Sequence, residues 1–365
     1  MLLTYNLNET WRWNLDHAPD IAPLLKSGKV ESHVPLAGRN WNWCGIPTSS
    51  SLGIPAGPLL DSRWLLYYAA VGFDILVYKT VRSVARECYP LPNLVPVEST
   101  SLATAGSTVK SSKSMHGSWA VSFGMPSQSP EIWRYDISVA RAALPEGKVL
   151  VVSVVGTQNA AITDKQASLE QLAEDFAKCA AWAIDSGAHG IEANFSCPNV
   201  STADGQLYQQ PEDAGFVAAC IRSRIGDAPL VLKIGKVNTA AEANQLLECV
   251  APFISGLAMT NSIAARVADE SGTLLFDGQP RGICGSATLD AGVDQIQLFR
   301  KALLKSEGAE SQGASQHLHL IGVGGISTAD HVTRYLNAGA DSIAIATAAM
   351  INPGLALNIR ASIDQ

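Results

Sequence analysis

VLVVSVVG, Val149 to Gly156, is an apolar run interrupted by one hydroxyl, Ser153. Runs without polar alternation suit strands covered on both faces, as in parallel sheets. Downstream, from Ser168 to Gly187, Leu169, Leu172, Phe176, Ala180 and Ile184 recur three or four residues apart, as on the buried face of a helix. Ser168 and Gln171 have capping-box spacing at its start, and Gly187 closes it. A second run, GIEANFS (190–196), comes next. Strand, helix, strand is the building unit of a parallel sheet.

The unit repeats on both sides. SLGIPA (51–56) and ILVYKTV (75–81) precede it; LVLKIGK (230–236), GLAMTNS (256–262), LHLIGVGG (318–325) and SIAIATA (342–348) follow. The stretch from Ser327 to Gly339 repeats the helical plan, with Ser327 and Asp330 at its start and Gly339 after its last turn. Eight such units predict an α/β chain folded as a (β/α)8 TIM barrel, with a doubly wound open sheet as the alternative.

Two segments fall outside the repeat. Residues 1–44 hold four of the eight tryptophans (Trp11, Trp13, Trp41, Trp43) and are expected to pack across the closed end of the barrel or on a partner subunit. The barrel itself is expected over 45–365. It includes a long insertion, 84–148, after the second strand: the polar, turn-prone STSLATAGSTVKSSKSMHGS and then the helical EIWRYDISVARAAL. Long loops at the carboxyl ends of barrel strands cover active sites.

Composition excludes several classes. A net charge of −7 advertises no basic surface for nucleic acid. The start, MLLTYNLNETWRW, has no basic region followed by a long apolar one, and no apolar segment approaches a membrane span, so the chain reads as cytoplasmic. The seven cysteines (44, 88, 179, 197, 220, 249, 284) form no CxxC pair, which argues against a metal or iron–sulfur cage and for reduced thiols.

In a barrel of this kind, polar groups at the strand ends form the catalytic face. Those ends read Ala56-Gly57, Lys79-Thr80, Ser153, Asn194 to Asn199, Lys233, Asn261-Ser262, Gly324-Gly325 and Ala346-Thr347. Amides, lysines and a thiol gather there without a histidine or an acidic pair, which argues against a His-based triad and against two-carboxylate hydrolysis. IGVGGIST (321–328) and IAIATAAM (343–350) put small residues where the seventh and eighth strands end, the place where barrels hold a phosphate. Lys233 then faces whatever ring the phosphate carries, where it can stabilise negative charge; the plainer reading is a lysine that snorkels or pairs with a carboxylate.

NFSCPNV (194–200), with IPAG (54–57) and YKT (78–80) before it and VLKIGK, TNS, GICGS and VGGI after it, resembles the dihydroorotate dehydrogenase family, in order from about residue 45 to residue 350. The cysteine in SCPN is similar to the soluble class 1 enzymes; the membrane-associated class 2 enzymes place a serine there. The resemblance implies FMN across the barrel mouth, with its phosphate on Gly324, Gly325, Ala346 and Thr347 near Gly285. Ala56, Gly57, Thr80, Ser153 and Lys233 would line its ring, and Lys79 and Asn194 would touch cofactor and substrate alike. Asn199, Asn261, Ser262, Gly124 and Met125 would complete the substrate site. Cys197 would remove a proton from C5 of (S)-dihydroorotate while hydride passes from C6 to flavin, giving orotate in pyrimidine biosynthesis. A homodimer and an electron-transfer partner subunit both stay open.

One departure bears on the substrate. Class 1 enzymes carry an orotate-gripping asparagine before a Ser-x-Gly-x-Pro turn; AVSFGMPSQS places Val121 there, followed by Ser122, Phe123, Gly124, Met125 and Pro126. Another dihydropyrimidine or cyclic amide is therefore the alternative substrate. A phosphate-binding lyase or isomerase using Lys233 as a Schiff-base amine is the alternative from a different class.

Overall fold

The structure, a computed structural model, describes residues 4–23, 40–99, 101–102, 105–196, 206–309 and 317–363. A short hairpin, β1 (Asn42–Trp43) and β2 (Ile46–Pro47), leads into the barrel. Eight strands then close on themselves in chain order: β3 (Leu52–Ile54), β4 (Ile75–Val81), β8 (Val149–Val154), β9 (Gly190–Asn194), β10 (Leu230–Lys233), β11 (Gly256–Met259), β14 (His319–Val323) and β15 (Ser342–Ala344). Every neighbouring pair is parallel. Each of the eight apolar runs supplies one strand, and the open-sheet alternative falls away.

The strands read as continuous apolar runs because both faces are covered. On β4, Leu76 and Tyr78 point out to the surrounding helices, whereas Ile75 and Val77 point into the barrel, where Val149, Val151 and Val231 meet them. Followed by twos towards the mouth, the inner rows turn polar: Ile75–Val77–Lys79, Val149–Val151–Ser153, Val231–Lys233. The closed end is dry and the open end carries chemistry.

Helices α2 (Ser62–Ala70), α3 (Pro130–Ala143), α4 (Lys165–Asp185), α5 (Pro211–Ile225), α6 (Ala240–Val250), α7 (Leu289–Ala309), α8 (Ala329–Asn337), α9 (Thr347–Ile351) and α10 (Leu355–Ile363) surround the strands. α4 begins before the expected Ser168: Asp164 caps it by accepting from the Ala167 N–H. Ser168 and Gln171 face the preceding loop instead, on Gln158 and on Asn159 and Thr157. α8 is capped by Thr328, one residue past the expected Ser327.

The described parts of the first 44 residues lie at two places on the barrel. Residues 4–23, which contain α1 (Trp11–Asp16), lie at the mouth: the Thr4 N–H donates to Met350 O at 3.1 Å, and the Tyr5 ring meets Phe123 edge-on at 5.7 Å. The β1–β2 hairpin lies at the closed end, with Trp43 clustered with Ile75 and Val149. The insertion also differs from its reading as a turn-prone excursion. It carries β5 (Leu94–Pro96), β6 (Thr108–Lys110) and β7 (Ser118–Val121), which join β12 (Ile263–Ala268) and β13 (Arg281–Gly285) in a five-stranded sheet, order β5-β7-β13-β12-β6. Trp119 and Val121 on β7 bring this sheet to the barrel mouth.

Candidate active site

The strand ends enclose a cavity of about 440 Å³. Among its walls are Lys79 and Thr80 (β4), Asn194 (β9), Lys233 (β10), and Asn261 and Ser262 just past β11. Ala56 and Gly57 after β3, Gly285 at the end of β13, Gly324 and Gly325 after β14, and Ala346 and Thr347 after β15 also face it. Gly124 and Met125 enter from the insertion. Cys197 and Asn199 lie outside the described residues. Ser153, fully buried on its inner row, is not among the walls; its hydroxyl and that of Thr80 hydrogen-bond at 3.0 Å.

Main-chain bonds across the barrel set the polar wall. Register puts Asn194 opposite Lys233, and the Phe195 N–H donates to Lys233 O at 3.0 Å. The Asn194 amide leans on Met125 Sδ at 3.7 Å and accepts from the Ser196 N–H at 3.2 Å. Asn261 is held by Ser196 as well: its amide donates to the Ser196 carbonyl and to Ser196 Oγ, while its Oδ1 accepts from the Ser262 N–H at 2.8 Å. The asparagines therefore stand in fixed orientations, as recognition of a flat ring requires.

The glycine turn is tightly built. Gly324 and Gly325 have φ of +121° and +72°, and a Cβ on Gly325 would lie 2.5 Å from Leu289 Cβ. Tyr335 Oη donates to Gly324 O at 2.8 Å and fixes the turn from below. Gly285, at φ +92°, could not carry a side chain either, because its Cβ would fall 2.1 Å from Gly117 O.

Several wall residues carry no signal in the reading by strand ends. Glu192 sits two residues before Asn194 on the same inner row, 4% exposed, and its Oε1 has no partner among the described residues. Thr260, 2% exposed, likewise leaves Oγ1 without a partner. Cys284 donates from Sγ to Trp119 O at 3.7 Å and accepts from Thr347 Oγ1 at 3.6 Å. Burial pushes its thiol up to about 11, against the opposing pull of Thr347, Trp119 and Lys233, so it stays neutral and is no base. Tyr5 and Trp11 close one side from the N-terminal segment. Counting by twos back from Asn194 would have found Glu192; nothing local marks the others.

Among the described residues no cluster of histidine, cysteine and acidic side chains could hold a metal ion, and no helix is long and apolar enough to cross a membrane.

The family model for dihydroorotate dehydrogenase matches residues 42–364. A dihydroorotate dehydrogenase of Dictyostelium discoideum is 28% identical, over 97% of this chain and 95% of its own. Catalytic subunits of dihydroorotate dehydrogenase B (NAD(+)) from Bacillus pumilus and Anoxybacillus flavithermus are 26% and 28% identical, over 45% and 48% of this chain and 49% and 52% of theirs. With the closed barrel and the lysine- and asparagine-lined mouth, these matches place the chain in the dihydroorotate dehydrogenase family of oxidoreductases.

Proposed function

We propose that the chain is an FMN-dependent cytoplasmic enzyme that oxidises (S)-dihydroorotate to orotate in pyrimidine biosynthesis. The observation that carries this reading is the single cavity in which Lys79, Asn194, Lys233, Asn261 and Ser262 meet the Gly324–Gly325 turn. The residues fit the cofactor. The volume is that of a small-molecule site, and a side chain on Gly57 would meet no protein atom within 4 Å. Glu192 and Thr260 line the cavity, and Glu192 Oε1 and Thr260 Oγ1 are buried without a partner among the described residues. Gly324, Gly325, Ala346 and Thr347 would hold the phosphate, and Ala56, Gly57, Thr80 and Lys233 the ring. FMN, when bound, supplies the two-electron acceptor that takes hydride from C6.

The chain's own groups do the rest. Lys233 presents an ammonium, 8% exposed, to the region where negative charge accumulates. Asn194, Asn199, Asn261, Ser262 and Lys79 hold the pyrimidine by its carbonyl and N–H edges. Cys197 takes the C5 proton; a thiol, whose reference pKa is about 8.5, suits general-base work near neutrality. The C5–H bonding pair becomes the C5–C6 double bond as the C6–H bond gives up hydride. Trp119, Val121, Phe123 and Ile326 supply apolar wall that excludes water.

Val121 favours a second reading. It is half-buried in the cavity wall, where it offers no hydrogen bond, so another dihydropyrimidine or cyclic amide competes as substrate. An anaerobic panel of dihydroorotate, dihydrouracil and dihydrothymine decides between them. Bleaching of bound flavin by dihydroorotate at the lowest concentration supports the first reading; bleaching by another member alone replaces it. Cys197→Ala should slow bleaching by about 10²-fold or more without loss of FMN, and an unchanged rate removes the base assignment.

A further inference from the structure

Glu192 is a charged side chain inside the barrel that the reaction above does not use. Its strand places it there: on β9, Ile191 and Ala193 face the helices, and Glu192 and Asn194 face inward. Register sets Glu192 beside Ser153 of β8 and Val231 of β10, one inner-row position deeper than the facing pair Asn194 and Lys233. It is 4% exposed, yet Oε1 meets no donor among the described residues. Thr260 Oγ1, in the same wall, meets none either. A carboxylate removed from water without a partner is costly, and it persists where a ligand or a compensating charge faces it. Lys233, on the adjacent strand and the same inner face, is the compensating charge, but among the described residues no ion pair joins the two. Both residues line the cavity.

We propose that Glu192 is a positioning residue of the cofactor site: its carboxylate opposes the Lys233 ammonium across the cavity wall and holds the reduction potential of bound flavin below the value Lys233 alone would give. This rests on the FMN reading above. Reduction adds electron density to the ring; Lys233 favours that density and Glu192 disfavours it. The shift of the potential from that of free FMN measures how much more tightly the protein binds the reduced cofactor than the oxidised one, so the charge of Glu192 appears in the ratio of the two dissociation constants.

The test is anaerobic titration of the full chain, stripped of cofactor, with oxidised and with reduced FMN, together with dye-equilibrated potentials of the reconstituted protein. Glu192→Gln keeps the shape and removes the charge. It should favour the reduced form by about tenfold in the ratio of dissociation constants, with a matching rise in potential. Lys233→Met should move both the other way. A merely structural Glu192 would weaken both redox forms alike and leave the ratio where it was. A Glu192→Gln ratio within about twofold of wild type, with Lys233→Met displaced, overturns the proposal. Should Glu192→Gln fail to take up FMN, Glu192→Asp decides, since it keeps the charge: a wild-type ratio supports the proposal, and one displaced as far as that of Glu192→Gln was expected to be overturns it. Wild-type protein that takes up no FMN would instead remove the cofactor reading itself.

Discussion

Val121 ties one side chain to substrate choice. It pairs with Gly282 and Leu94 across the upper sheet and enters the cavity wall just before the Ser122–Met125 turn. An amide there can add a hydrogen bond to a bound ring, of about 0.5–1.5 kcal/mol, so Val121→Asn should lower KM for dihydroorotate by roughly two- to tenfold. Saturation of anaerobic flavin reduction measures it, and an unchanged KM would mean that the ring lies elsewhere. At this scale the sequence was informative where polar residues end apolar runs: Lys79, Asn194, Lys233, Asn261 and Ser262 all face the cavity. It was silent on Glu192 because a strand buried on both faces shows no alternation, and the inner row can be counted only once the barrel is known. Ser153 was read one layer too far forward for the same reason.

At the scale of elements, the turn after β14 and the start of that strand make separate predictions. Gly325 adopts a left-handed φ and touches α7 through Leu289, so Gly325→Ala should destabilise the protein by about 1–3 kcal/mol and weaken FMN binding. Thermal melting with and without FMN reads both, and a melting curve that matches wild type would contradict the tight turn. At the other end of β14, His319 is buried with Nε2 2.9 Å from Ser342 Oγ, and burial lowers its pKa to about 4. The unfolded chain binds this proton below about pH 6.5 and the folded one only near pH 4, so stability falls as pH drops through that window. The loss should reach about 3 kcal/mol and shrink in His319→Gln, as urea unfolding across the window would show; an equal slope in the variant would contradict it. Helix positions were legible because 3.6-residue periodicity is local, although caps slipped where a loop claimed the polar side chains, as with Ser168. β6 was not legible: its polar stretch becomes strand by pairing with β12, far along the chain.

For the whole molecule, the barrel separates a dry closed end from a polar mouth, and the closed end has its own lock. Asp74, fully buried, accepts from Lys148 Nζ at 2.7 Å and from Ser50 Oγ at 2.6 Å, and is bound by Arg360 of α10 as well. Asp74→Ala removes the buried carboxylate that two buried cations share and should cost about 3–5 kcal/mol, seen as a lower urea midpoint, while folded protein keeps its FMN affinity. The eight-unit repeat made the architecture readable because each strand–helix unit is a local pattern repeated in order. That residues 4–23 lie at the mouth and the β1–β2 hairpin at the closed end was not readable, since Thr4, Tyr5 and Trp43 are placed by Met350, Phe123 and Ile75, partners that no spacing rule connects.

On the proposed reading, eight strand ends assemble one flavin site that oxidises dihydroorotate. Anaerobic single-turnover mixing of FMN-loaded protein with dihydroorotate tests it most directly, following flavin absorbance and orotate together. The expected result is loss of the flavin band with one orotate formed for each flavin reduced; protein that takes up FMN but leaves it oxidised, with no orotate released, would rule the reading out.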